Sequence, residues 1–272
     1  MNKPFILITN DDGITAPGIQ ALWRALRNYD VAIAAPIHEK SGSGLAITST
    51  RPLQIRDFPW NDKKTPAWSI NGTPADCIKL ALSVILEKKP DLIVSGINKG
   101  SNSGRNVLYS GTVGGVIEGV IRNIPGIAFS SENFENPKFE IYEKYIPSII
   151  EYFYKNPLSA GTFLNVSFPS DYDKEIQGFK MARQGKGVWT ENPEKRFHPA
   201  EGHPYYWLGG KCIDFPEEED SDVALLKQGY ITATPLHVNE LTDFDLLKNH
   251  KILFEDLFGN ISDEQSDNTI MK

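Results

Sequence analysis

An unbroken apolar run, Phe5-Ile6-Leu7-Ile8-Thr9, ends directly in Asn10-Asp11-Asp12-Gly13. Strand-favouring residues without polar alternation describe a strand buried on both faces, the usual condition of a parallel strand covered by helices. Two adjacent carboxylates then stand where that strand leaves the core. Neighbouring side chains diverge on a strand, but the tight turn that Gly13 permits lets Asp11 and Asp12 address one site. Hard oxygen ligands held this way suit Mg²⁺ or Mn²⁺. In isolation Asp-Asp-Gly is an ordinary polar turn, so its meaning depends on the rest of the chain.

Beyond Gly13 the chain repeats the alternation of strand and helix. Pro17 is placed for a first helical position, and Ile19, Leu22 and Leu26 fall on one helical face. Residues 31–35 are a second short strand, stopped by Pro36, and residues 37–49 a Gly/Ser-rich loop long enough to carry function. Residues 52–55 and 67–70 read as further short strands. Thr73-Pro74-Ala75-Asp76 is a helix start: a capping Thr, Pro in first position and an acid three residues after the cap. Residues 91–95 form a strand that runs into Gly96-Ile97-Asn98-Lys99-Gly100. Thr112 is placed to cap a helix with Val113, Val116, Ile117, Val120 and Ile121 as its apolar positions. Gly114 and Gly115 inside that helix imply close packing against a neighbour, since each costs about 1 kcal/mol relative to Ala. A strand at 126–130, a helical stretch over 139–154 and a strand at 162–168 complete the pattern. This order predicts an α/β fold with a doubly wound, Rossmann-like, mainly parallel sheet.

From about Asp171 the texture changes. Short strands at 178–182, 205–208 and 230–234 are separated by loops rich in Gly, Pro and charge. The expected organisation is a Rossmann-like catalytic core over 1–170, a smaller β-rich lobe with extended hairpins for subunit contact over 171–257, and an acidic polar tail over 258–272 that frays.

Of the 272 residues, 35 are acidic and 28 basic, a formal net charge of -7 that disfavours a nucleic-acid polymer as partner. An anionic substrate would therefore need local positive potential from a cation, helix N-termini or a few basic side chains. Two cysteines, Cys77 and Cys212, make neither a disulfide framework nor a Cys-rich zinc pattern, and Cys77 reads as a small buried hydrophobe. Met1 runs almost directly into the first strand, leaving no room for a signal peptide, and no apolar run approaches a membrane span. The expectation is a cytoplasmic protein without a membrane partner.

Open parallel sheets bind ligands at the carboxyl edge of their strands. Asp11-Asp12 follows the first strand, Lys40-Ser41-Gly42-Ser43-Gly44 the second, and Asn98 the strand at 91–95, so all three loops open on that edge. They offer carboxylates, a hydroxyl and an amide carbonyl, an oxygen-only set unsuited to structural zinc and suited to Mg²⁺ or Mn²⁺. Tyr109-Ser110-Gly111-Thr112 lies at the expected N-terminus of the Val113 helix, where free N–H groups and the helix dipole favour phosphate. The first strand–helix turn lacks Gly-x-Gly-x-x-Gly, and Ser110 lacks a Gly-x-Ser-x-Gly elbow, which argues against a dinucleotide-binding dehydrogenase and a serine hydrolase. None of the five histidines shows His-Glu-x-x-His spacing; His198, His203, His237 and His250 read as surface or loop residues.

Ile8-Thr9-Asn10-Asp11-Asp12-Gly13 with Ala16-Pro17-Gly18-Ile19 resembles the opening motif of the SurE survival-protein nucleotidases. The resemblance continues through Lys40-Ser41-Gly42, Asn71-Gly72-Thr73-Pro74-Ala75-Asp76-Cys77, the stretch 94–104, Tyr109-Ser110-Gly111-Thr112-Val113 and, in the second half, Tyr205-Tyr206-Trp207-Leu208-Gly209 and residues 229–236. It implies a divalent-metal-dependent phosphatase acting on nucleoside 5′- and 3′-monophosphates and on some short polyphosphates. It also implies a homodimer or homotetramer that exchanges C-terminal elements. The family's metal ligands map onto Asp11, Asp12, Ser41 and Asn98, holding one Mg²⁺ or Mn²⁺ per subunit, with Ser43 a near neighbour that the motif alignment places second to Ser41. Its phosphate contacts map onto Asn102, Ser110, Gly111 and Thr112. Asp11 and Asp12 are the implied catalytic pair, Asp12 as the group that takes or orients the proton of an attacking water, or Asp11 as a nucleophile in a variant route. The chain departs from the family where small alanines are frequent (Gly114, Gly115), where Asp-Pro-Arg-Gly is common (here Phe197-His198-Pro199-Ala200-Glu201-Gly202), and where Thr-Asp is usual (Ser221-Asp222).

Overall fold

The computed structural model describes residues 3–170, 175–213 and 215–267, with Cys212 and 257–267 described by backbone alone. The expected boundary at Asp171 and the end of the tail, 268–272, lie outside the described residues. The chain forms two compact units, residues 1–238 and 239–272.

The first unit is built on a nine-stranded sheet. The strands of the chain are β1 (Phe5–Thr9), β2 (Asp30–Pro36), β3 (Ile55–Asp57), β4 (Ala67–Ile70), β5 (Leu92–Lys99), β6 (Gly126–Ser131), β7 (Thr162–Phe168), β8 (Gly178–Met181), β9 (Val188–Thr190), β10 (Glu194–Phe197), β11 (Pro204–Trp207), β12 (Lys211–Ile213) and β13 (Tyr230–His237). The large sheet has the order β3-β4-β2-β1-β5-β6-β7-β13-β8. From β4 to β7 every pairing is parallel. β3 and β13 add antiparallel neighbours at β4 and β7, and β8 pairs parallel to β13. The chain leaves β1 for β2 on one side and later returns to β5 on the other, so the switch point at which such sheets bind ligands lies beside β1. β8 and β13, which belong by sequence to the β-rich second half, thus complete the main sheet.

The expected α/β architecture arises from burial. All of β1 is buried, and its side chains alternate between two cores: Ile6 and Ile8 pack on one face with Ile33, Val94 and Val166, and Phe5 and Leu7 on the other with Ala32, Ile70 and Ile93. Helices cover both faces: α1 (Pro17–Leu26), α2 (Pro74–Leu80), α3 (Gly111–Val120), α4 (Ile146–Lys155) and the short α5 (Asp222–Lys227). Ile19, Leu22 and Leu26 of α1 are fully buried, as their spacing predicts. Thr73 and Asp76 form the expected capping box of α2, and Cys77 is buried and free.

Three local expectations change. The stretch 139–154 is a 3₁₀ turn (Phe139–Ile141) followed by α4, because Pro147 is tolerated only in a first helical turn and cannot lie inside one long helix. The strand expected at 52–55 forms at β3 instead; Pro52 has no N–H to give a ladder. In the second unit α6 (Phe244–Asp267) is a continuous helix, against the expectation of a tail that frays beyond 258. Its sequence contains no proline, and Lys251 and Glu255 are paired one turn apart at 3.9 Å.

β10–β11 and β9–β12 form two separate antiparallel pairs. Every residue of β10 and β11 is exposed. Among the described residues, no helix is long and apolar enough to cross a membrane.

Candidate active site

The site begins where β1 stops. The Asn10 amide donates to the Gly13 carbonyl at 2.9 Å and closes the turn, and Gly13 sits at φ +102°, a conformation that residues with a Cβ rarely adopt. Asp11 is buried and Asp12 half-buried at this turn. The Lys99 N–H, at the end of β5, donates to Asp12 Oδ2 at 3.2 Å, and the Thr112 hydroxyl, in the first turn of α3, donates to Asp11 Oδ1. The carboxyl ends of the two central strands and the N-terminus of α3 therefore meet at the two aspartates.

Burial pushes the Asp11 carboxyl up to about 6, against the opposing pull of the Thr112 hydroxyl, and Glu39 adds repulsion. Asp12 is pushed up to about 7, first by burial and then by the charge of Asp11. Two acids held side by side with their ionised forms disfavoured make a place where a cation lowers the energy of both.

The loop after β2 is tied to the same point. The Lys40 N–H donates to the Asp11 carbonyl at 2.7 Å and the Gly44 N–H to the Tyr109 carbonyl at 3.0 Å. α3 presses on this loop so closely that a Cβ on Gly114 would stand 2.1 Å from the Gly44 carbonyl oxygen. A Cβ on Gly115 would stand 2.9 Å from Thr9 Cγ2 at the end of β1. These contacts are the neighbours that the two helix-interior glycines imply. A Cβ on Gly111 would likewise fall 2.6 Å from Ser43 Oγ and 2.9 Å from Asp11 Oδ2, so Gly111 keeps open a small polar cradle between them.

Of the two serines in the loop, Ser43 is the one brought to Asp11, with its Oγ buried and without a hydrogen-bond partner. The Ser41 hydroxyl is exposed and donates to Glu39 at 2.7 Å. Asn98 is buried, its amide donating to the Gly100 carbonyl at 2.9 Å and lying 3.5 Å from Asn102 Oδ1. Asn102 is buried too, with its Nδ2 unpartnered and its carbonyl accepting from Asn165 at 3.0 Å. Lys99 turns its ammonium over the Phe134 ring, 4.7 Å from the centroid.

The helix start differs from expectation by two residues. Ser110, not Thr112, is the cap of α3, and its Oγ accepts from the Val113 N–H at 3.2 Å. Thr112 is spent on Asp11 instead. Of the first-turn N–H groups of α3, that of Val113 is taken by the Ser110 cap and that of Thr112 is directed at the Asp11 carboxylate, so the helix start itself bears on the acid pair. The structure thus gathers Asp11, Asp12, Asn98, Asn102, Ser110, Gly111 and Thr112 around the ends of β1 and β5, and it holds Ser41 nearby through Lys40.

Sequence reading missed the residues of the second half that fix the Gly104–Ser110 approach. Asp222 accepts from the N–H groups of Gly104, Gly185 and Val223 at 3.0, 2.8 and 2.8 Å. Gln184 donates to the Gly104 carbonyl at 2.9 Å, and the Arg105 N–H donates to the Gly187 carbonyl at 2.8 Å. The one available signal was Asp222 directly after a capping Ser221, and that signal points to a helix start rather than to a loop more than a hundred residues away.

An oxygen-lined, acid-bearing cleft at the switch point of a doubly wound sheet, set against a helix N-terminus, places this chain among the α/β proteins whose ligand sites lie at the carboxyl edge of the sheet. The model of the family described as "Survival protein SurE" matches residues 6–191. The "5'-nucleotidase SurE" of Protochlamydia amoebophila is 50% identical over 255 residues, covering 93% of this chain and 98% of that protein. The "5'-nucleotidase SurE" of Thermosipho africanus is 42% identical over 252 residues, covering 92% and 98%. The crystal structure of the SurE protein from Aquifex aeolicus superposes with a TM-score of 0.77 at 41% identity, covering 92% of this chain and 99% of that one. The chain belongs to the SurE survival-protein family.

Proposed function

We propose that this chain is a divalent-metal-dependent phosphatase that hydrolyses nucleoside 5′- and 3′-monophosphates, and short polyphosphate, to release inorganic phosphate. The observation that carries the reading is the meeting of Asp11, Asp12 and the α3 N-terminus, with the Thr112 hydroxyl bonded to Asp11. The relatives' shared description as 5'-nucleotidases supports the substrate class.

The residues present fit a hard cation. The donors are all oxygens, the two acids lose charge through burial unless one is bound, and Gly111 preserves a cradle that a Cβ would fill. Asp11, Asp12, Asn98 and Ser41 would hold one Mg²⁺ or Mn²⁺ per subunit; Ser43 offers the alternative hydroxyl, because its Oγ lies by Asp11 without a partner. When bound, the ion supplies charge neutralisation at a phosphate oxygen and lowers the pKa of water.

The chain's own groups do the rest. The N–H groups of Gly111 and Thr112 and the amide of Asn102 bind and orient the phosphoryl oxygens, where negative charge is carried as the ester bond breaks. Asp12, less buried than Asp11 and titrating nearer neutrality, takes the proton of the attacking water as its oxygen bonds to phosphorus and the nucleoside oxygen leaves with its electron pair. Asp11, held by Thr112, keeps its orientation; a direct attack by Asp11 on phosphorus is the competing route, distinguished by trapping of a phosphorylated enzyme in a single turnover. The reaction belongs in the cytoplasm. The exposed β10–β11 pair, with Phe197, Tyr206 and Trp207 each about three-fifths exposed, is proposed as a contact of a homodimer or homotetramer.

Phosphate release from a panel of nucleoside monophosphates, with Mn²⁺, Mg²⁺ or EDTA, tests the reading in wild type and Asp12→Asn. Metal-dependent release that collapses in the variant is expected. Binding without turnover, or release only with an added acceptor, would replace it with a nucleotide-binding module or a transferase.

A further inference from the structure

We propose that the turn joining β10 to β11 is a second metal site, in which His198, Glu201 and His203 take a borderline divalent transition ion such as Zn²⁺. Their ligand atoms, one from each residue, lie within 4.8 Å of one another. Among the described residues this is the one such gathering of three histidine, cysteine or acidic ligands.

The backbone prepares the site. The His198 N–H donates to the His203 carbonyl at 2.9 Å, and the Gly202 N–H donates to the His198 carbonyl at 2.9 Å, closing the turn. Gly202 sits at φ +71°, which lets the chain reverse between Glu201 and His203. The two imidazoles then stack, with centroids 5.0 Å apart and planes 10° from parallel. Both Nδ1 atoms face Glu201: that of His198 accepts from the Glu201 N–H at 3.2 Å, and that of His203 lies 3.1 Å from Glu201 Oε2. An ion held by Glu201 and the two rings takes the place of the Glu201 N–H at His198 Nδ1 and requires the parallel rings to turn until their in-plane lone pairs converge, each ring keeping its one proton on Nε2. That is the neutral tautomer in which imidazole acts as a ligand.

Donor chemistry separates this site from the one at β1. Two nitrogens and one carboxylate suit Zn²⁺, Ni²⁺ or Cu²⁺, whereas oxygens alone suit Mg²⁺ or Mn²⁺. Three protein ligands leave a fourth tetrahedral position to water. The consequence is structural. An isolated two-stranded hairpin is marginal in water, and among the described residues β10 and β11 pair with no other strand. An ion that binds the closed turn and not the unfolded hairpin shifts the hairpin toward its ordered form.

The test uses the full chain, stripped with EDTA and titrated with Zn²⁺ and with Co²⁺ as a spectroscopic substitute, in wild type, Asp12→Asn, His198→Asn, His203→Asn and Glu201→Gln. The expected result is a Co²⁺ absorption band, displaced by Zn²⁺, that persists in Asp12→Asn and weakens in affinity by about tenfold or more in each turn variant. Zn²⁺ should also slow amide hydrogen exchange across residues 194–207 in wild type and in Asp12→Asn. Equal Zn²⁺ affinity in the histidine variants, or complete loss of the band in Asp12→Asn, would overturn the proposal. Because the turn is exposed, the variants keep the fold, and their phosphatase activity with Mn²⁺ reports that directly.

Discussion

The turn after β1 and the hairpin β10–β11 are both tight reversals that carry charged or ligating side chains, yet they are built in opposite ways. The first is embedded: β1 is wholly buried, Asp11 is 3% exposed, and the turn is held by hydrogen bonds from the ends of β2 and β5 and from α3. The second stands free, every strand residue exposed, its turn closed among the described residues by bonds within itself. Embedding forces acids to be partnered or neutralised, so the first site stores its chemistry in displaced carboxyl pKa values and backbone fit. A free hairpin imposes no such demand, and any function it has rests on the side chains it happens to bring together.

The largest expected effect is at the embedded turn. Asp12→Asn should lower kcat by about 10²–10⁴-fold, the usual worth of a positioned acid–base group. It should not lower the melting temperature of the metal-free protein, because it removes a charge that burial and Asp11 already disfavour. Parallel phosphate-release kinetics and thermal melts check the pair of outcomes, and a variant both inactive and much less stable would mean that Asp12 is structural.

Gly114→Ala comes next. The added methyl would stand 2.1 Å from the Gly44 carbonyl oxygen, a backbone atom that a side-chain rotation cannot move aside. A cost of about 2–3 kcal/mol is expected in denaturant unfolding, with loss of activity as α3 and the 40–46 loop separate. Gly115→Ala meets side-chain atoms, Thr9 Cγ2 at 2.9 Å and Pro74 Cβ at 3.2 Å, rather than a backbone carbonyl, and should cost less.

Much of the embedded region was legible in the sequence. Continuous apolar runs marked β1, β2 and β5 because both faces of these strands are buried, and helical stripes marked α1 and α3. The aspartates and the α3 N-terminus could be brought to one edge because parallel sheets place all strand carboxyl ends together. The long-range support escaped. Asp222 reaches Gly104 across the fold, and no local pattern encodes that contact. The Ser110 cap escaped for a narrower reason: Ser110 and Thr112 are both good caps, and only the tertiary bond from Thr112 to Asp11 decides between them. The hairpin turn was illegible because His198, Glu201 and His203 lack a helical ligand spacing; it is the turn, with Gly202 at positive φ, that brings them together.

Asp222→Asn probes the hidden support. It keeps the shape and weakens the hydrogen bonds from Gly104, Gly185 and Val223, so a loss of about 1–2 kcal/mol is expected. If this acid positions the phosphate-side loop, KM for nucleotide should rise with kcat little changed; an unchanged KM would confine Asp222 to stability.

The pH dependence of the metal-free protein should separate the two regions again. Burial raises both carboxyls of the turn after β1 from the ordinary range near 4 to about 6 for Asp11 and, with the charge of Asp11 beside it, about 7 for Asp12. The folded state then binds protons more tightly than the unfolded chain, so stability is highest in acid and falls as pH rises through about 4 to 7. Melts at intervals across that window should show a slope that flattens in Asp12→Asn and on saturation with Mn²⁺. A slope insensitive to both would place its origin elsewhere in the molecule.

The smallest effect is expected on the free hairpin. Trp207 is 60% exposed and its strand touches no core residue through the sheet ladder beyond β10. Trp207→Ser should therefore change the unfolding free energy of a single chain by less than about 0.5 kcal/mol, the range of ordinary surface substitutions. The informative part is its dependence on protein concentration. If the β10–β11 aromatics are covered in an assembly, the same substitution should lower the melting temperature more at high concentration, where association contributes to stability, than at low. Light scattering should then show a smaller species. If melting and mass are both unchanged at every concentration, the aromatic face is not a subunit contact, and the hairpin contrasts with the β1 turn as fully as its exposure suggests.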